Sequence, residues 1–107
     1  MTSGIPVRIL WLGERAMRPP PGPIWSSPAH FEHQDEAEWR REAWSVVLRF
    51  DGPRSPVDGS QNGHVRFLAE DAPHDWLSRY KFTLYDGARP VALVSPLQSE
   101  PSEVLGA

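Results

Sequence analysis

The sequence predicts an all-β fold, a small closed or partly closed antiparallel barrel of about six strands. Three observations carry that expectation. From His64 to Leu97, apolar residues recur at every second position: Val65, Phe67 and Ala69 against Arg66, Leu68 and Glu70, then Phe82 and Leu84 against Lys81, Thr83 and Tyr85. Asp86-Gly87 stands between two apolar runs, where a tight turn needs the positive φ that both residues tolerate. The composition also favours sheet: 12 Pro and 8 Gly break helices and build turns, while five Trp, four Phe and two Tyr suit a half-buried pleated surface.

Taken in order, Ile5 to Glu14 alternates as a strand with apolar residues on both faces, so cover is expected on each side. The segment from Arg15 to Ile24 holds Pro19, Pro20, Pro21 and Pro23, which forbid helix and cannot donate to a ladder; it reads as an extended, stiff loop. Residues 30–34 form a short second strand. Asp35 and Glu38 have capping-box spacing, which allows one or two helical turns through Arg41. Ala43 to Phe50 alternates as a strand, with Trp44, Val46, Leu48 and Phe50 on its core face. Asp51 to Gly63 consists almost wholly of turn formers and reads as a long exposed loop. Val91 to Val94 is apolar on both faces, as at the centre of a closed sheet. The expected core is Val7, Ile9, Val46, Leu48, Val65, Phe67, Phe82, Leu84 and Val91.

A length of 107 residues allows one domain, placed at 1–97, with 98–107 as a flexible C-terminal tail. The absence of Cys excludes thiolate metal sites and cysteine nucleophiles, and fits the reducing cytoplasm. Neither a signal segment nor a membrane span is expected, because no apolar run approaches the ~18 residues required. With a net charge of −3 there is no global basic field, which disfavours nucleic acid.

Few residues suggest chemistry. His30, Glu32, His33 and Asp35 could ligate a metal if the backbone gathered them, which is the basis for a metal-dependent enzyme as an alternative. His74-Asp75 is a possible orienting pair, yet no Gly-x-Ser-x-Gly turn accompanies it. The run Gly59 to Gly63 lacks the lysine of a phosphate-binding loop. No cofactor and no catalytic residue are assigned. The candidate binding residues are Arg18, Ile24, Trp25 and Phe31, where stiff backbone coincides with the aromatic and Arg side chains enriched at interface hot spots.

The opening strand VRILWLGE, the Pro/Arg-rich segment after it, and a block held by Phe67, Leu68, Pro73, Leu77, Phe82, Leu84, Gly87, Val91 and Ala92 resemble the C-terminal β-barrel domain of elongation factor Tu. They resemble still more the small stand-alone bacterial proteins that carry only that barrel. Two positions depart from the pattern. Ala16-Met17-Arg18 stands where that family carries Gly-Gly-Arg, and Arg79 stands three residues before Phe82, where a Gly is common. The resemblance implies a non-enzymatic binding or scaffold barrel that acts through protein contacts on a partner protein. A transfer-RNA-like binding module through Arg15 to Phe31 is the alternative it suggests.

Overall fold

The computed structural model describes residues 4–17 and 24–97, so the tail at 98–107 and most of the proline-rich segment, Arg18 included, lie outside the described residues. Six strands, β1 (Ile5–Trp11), β2 (Ile24–Phe31), β3 (Trp44–Phe50), β4 (Gln61–Phe67), β5 (Phe82–Asp86) and β6 (Arg89–Pro96), close into a barrel in the order β1-β4-β3-β2-β5-β6. Every neighbouring pair is antiparallel. Every strand is paired on both sides over at least part of its length, although β2 from Ile24 to Pro28 pairs with β3 alone among the described strands. Among the described residues three short helices sit in the connections: α1 (Glu14–Met17), α2 (Glu36–Arg41) and α3 (Trp76–Arg79).

Alternation dictates what lies inside. All nine expected core residues are buried, joined by Trp11, Ala29, Phe31, Ala72, Leu77, Ala92 and Val94. One end of the barrel is closed by rings. Phe31 lies 4.7 Å from Phe82, 5.3 Å from Trp76 and 5.7 Å from Phe67, centroid to centroid. At the other end Trp11 meets Phe50 edge to face at 5.7 Å and donates its Nε1 proton to Gln61 at 3.0 Å.

Local readings at β1, β2, β4 and the last hairpin are corrected by the three-dimensional arrangement. β1 stops at Trp11, because Gly13 turns the chain at φ +56° and Glu14 opens α1. Its outer face is also barer than expected, with Leu10 40% exposed.

β2 begins at Ile24, well before His30, and contains Pro28. That proline falls where the β2–β5 ladder, which pairs only Ala29 to Phe31, has ended. β4 begins at Gln61, inside the expected loop, because Gly63 is a strand residue. A Cβ there would sit 2.5 Å from the Arg49 carbonyl oxygen, so the glycine permits close approach of β4 to β3 and marks no turn.

The last hairpin pairs Asp86 with Arg89, which makes Gly87-Ala88 the turn. Positive φ is needed only at Gly87 (67°), the pattern of a II′ turn rather than of one centred on Asp86-Gly87. In β6 the partner of Leu84 is Ala92 while that of Tyr85 is Pro90, so Val91 is an extra residue. This bulge lets Val91 and Ala92 both face inward and leaves Leu93 44% exposed on the outer wall.

α2 forms as the capping-box spacing predicts. The Asp35 carboxylate accepts from the Glu38 amide at 2.8 Å, and Glu38 accepts from the Asp35 amide at 3.2 Å. Asp35→Ala is expected to lower stability by about 1 kcal/mol in urea unfolding. An unchanged midpoint would show that α2 is held by Trp39 alone, whose indole donates to the Ala29 carbonyl at 3.0 Å.

Candidate interaction surface

The period of a strand separates the candidate binding residues. Along β2, Ser27, Ala29 and Phe31 point inward, so Ile24, Ser26, Pro28 and His30 point outward. Ile24 therefore faces water at 59% exposure. Trp25 turns inward at the barrel mouth, half-buried, with the Arg15 guanidinium 5.0 Å above its ring. Among the described residues its buried Nε1 has no hydrogen-bond partner. Phe31 is fully buried at the opposite end of the strand, where no partner of the folded chain reaches it.

The groups singled out for chemistry are dispersed. His30 donates through Nε2 to the Gln34 carbonyl at 3.0 Å and stacks on Trp39 at 4.7 Å. Glu32 accepts from the Lys81 amide at 3.0 Å, His33 stacks on Tyr80 at 3.9 Å, and Asp35 is the helix cap. Among the described residues no three His, Asp or Glu gather as metal ligands. His74 and Asp75 also part: His74 bonds the Glu70 carbonyl at 2.7 Å, and Asp75 pairs with Arg79 at 3.1 Å. A His-Asp pair does form elsewhere, between His64 and Asp51 at 2.8 Å. It was hidden from sequence reading because the β3–β4 register, which pairs Arg49 with His64, creates it.

Two outer walls remain open. On the first, strand pairing sets Leu10 beside Leu93, and with Arg8, His30, Lys81 and Ser95 they line a shallow hollow of about 370 Å³. Arg8 is engaged there by Asp58. The Asp58 carboxyl is lowered from 3.8 to about 2, chiefly by hydrogen bonds from the Ser60 amide and hydroxyl, and further by Arg8. A depressed carboxyl contributes stability in full above its unfolded value and loses it as pH falls, here between about 4 and 2. A carboxyl-carbon NMR titration is expected to place the Asp58 midpoint near 2; a midpoint at the ordinary value would show that these bonds do not persist in solution.

The second wall is the outer face of β2, β3 and β4. Register sets Ile24 opposite Arg49, Ser26 opposite Val47, and Val47 opposite Arg66. Leu68, 60% exposed, follows on the same face and donates its amide to the Ser45 carbonyl at 3.0 Å. Arg49 and Arg66 are exposed and neither enters an ion pair among the described residues. Sequence reading missed this pair. Two arginines 17 positions apart carry no local signal, and only the register makes them diagonal neighbours.

Among the described residues no helix is long and apolar enough to cross a membrane. No family model, no curated protein and no solved structure matches the chain.

Proposed function

We propose that this chain is a non-enzymatic binding or scaffold barrel that acts through protein contacts. The observation that carries the reading is the β2–β3–β4 wall, where Ile24 and Leu68 are 59% and 60% exposed beside two arginines that enter no ion pair among the described residues. Large apolar side chains grouped with Arg are what a docking surface requires, since partner contact removes apolar area from water and Arg supplies directed donors. The resemblance to the elongation factor Tu barrel, a domain that helps hold partner proteins and transfer RNA, supports the same reading. The groups singled out for chemistry, His30, Glu32, His33, Asp35, His74 and Asp75, are engaged in a cap, ring stacks, backbone bonds and an ion pair.

Cross-linking with mass spectrometry, comparing the native chain with an Ile24→Glu, Leu68→Glu double variant, tests the proposal. The native chain is expected to give cross-links to a defined protein that the variant loses while its melting temperature stays within a few degrees, as for surface changes of about 0.5 kcal/mol. Identical cross-links from both proteins would remove this wall from the function. Binding of transfer RNA that falls linearly with log salt would favour the RNA alternative.

A further inference from the structure

We propose that the β2–β3–β4 wall takes an acidic protein segment in extended conformation, with one carboxylate on Arg49, a second on Arg66, and apolar side chains on Ile24 and Leu68. This inference rests on the protein-contact reading and adds to it the chemistry of the partner.

The first support is charge. The chain carries 14 Asp and Glu against 11 Lys and Arg, yet the outward positions of this wall (Ile24, Ser26, Pro28, Ser45, Val47, Arg49, Asn62, His64, Arg66, Leu68) include no carboxylate. Asp51, the carboxylate at the end of β3, is taken by His64 at 2.8 Å. Arg66 reaches only the Phe67 carbonyl, at 3.4 Å, so both guanidinium groups keep most of their donors free among the described residues. Among the described residues Arg8, Arg15, Arg40 and Arg79 each pair with a carboxylate, whereas Arg49 and Arg66 do not. The local positive pair attracts carboxylates at short range, against the weak long-range repulsion from the chain's net charge of −3.

The second support is spacing. Diagonal residues on neighbouring antiparallel strands lie about 7–8 Å apart. In an extended peptide, residues two apart are about 6.8 Å apart and point the same way. A carboxylate–x–carboxylate repeat therefore presents its charges at nearly the separation of Arg49 and Arg66. Each guanidinium fork can donate two parallel hydrogen bonds to one carboxylate, a geometry that lysine does not offer. Val47, which stands opposite Arg66 and two residues from Arg49, gives the peptide backbone between the two carboxylates an apolar floor, while the intervening side chain points away from the wall.

The test uses fluorescence anisotropy with three probes: a labelled peptide centred on glutamate–valine–glutamate, the same peptide with glutamine for both glutamates, and a labelled oligouridine. The acidic peptide is expected to bind, the glutamine peptide about tenfold more weakly, and the Arg49→Gln, Arg66→Gln double variant to lose about tenfold for the acidic peptide. Leu10→Ser, on the opposite wall, is expected to leave binding unchanged. Equal binding of both peptides, abolished by Ile24→Ser, would overturn the acidic partner while leaving the protein-contact reading in place. Binding of oligouridine with neither peptide would overturn both, and no binding of any probe would overturn the acidic partner.

Discussion

Phe31→Ala is expected to cost about 3–5 kcal/mol, the range for removing a large ring from a core that cannot collapse around the void. Its ring is fully buried and touches Phe67, Phe82 and Trp76, so its removal opens space between three rigid neighbours. For a domain of this size that is a fall in melting temperature of roughly 15 °C or more. Ile24→Ala on the same strand is expected to change stability by no more than about 0.5 kcal/mol, because its side chain already stands in water. Thermal unfolding of the two variants side by side separates core from surface along β2. A Phe31→Ala loss below about 1 kcal/mol would show that the ring is not enclosed, and would return it to the list of binding residues.

Gly63→Ala is expected to lower stability by about 3 kcal/mol, the upper end of ordinary overpacking. The added methyl would meet the Arg49 carbonyl oxygen at 2.5 Å and the Ile9 Cδ1 at 3.3 Å. Ile9 can rotate away. The carbonyl cannot, because it belongs to the β3 backbone in the ladder that pairs Arg49 with His64. Relief requires β4 to withdraw from β3, and β4 is also held by β1, where Gly63 pairs with Val7. The urea midpoint should fall with little change in slope. A variant as stable as the native chain would mean that the β3–β4 spacing has slack.

These two residues also mark where sequence reading succeeds and where it stops. The nine expected core positions and the capping box at Asp35 were legible because each depends on local pattern: a strand buries alternate residues, and a helix start needs acceptors for its free amides. Phe31 and Gly63 were misplaced because their roles depend on distant partners. Phe31 was read into a short strand at 30–34 and as a binding residue, because Ser27 and Ala29 have side chains too small to announce the alternation of Ser27, Ala29 and Phe31 toward the core. Gly63 looked like a turn residue because its function, letting two backbones meet, is invisible until the neighbouring strand is in place.

The all-β class, the nine expected core positions and the helix start at Asp35 thus followed from the residues alone, through steric and burial preferences that act within a few positions. Which strand lies beside which did not, since period 2 is the same for every pairing of six strands. Closing the barrel in the order β1-β4-β3-β2-β5-β6 set the registers. Those registers sent Ile24 outward and Phe31 inward, joined His64 to Asp51, and placed Arg49 diagonal to Arg66, because side chains far apart in the chain become neighbours only through the hydrogen-bonded ladders between them.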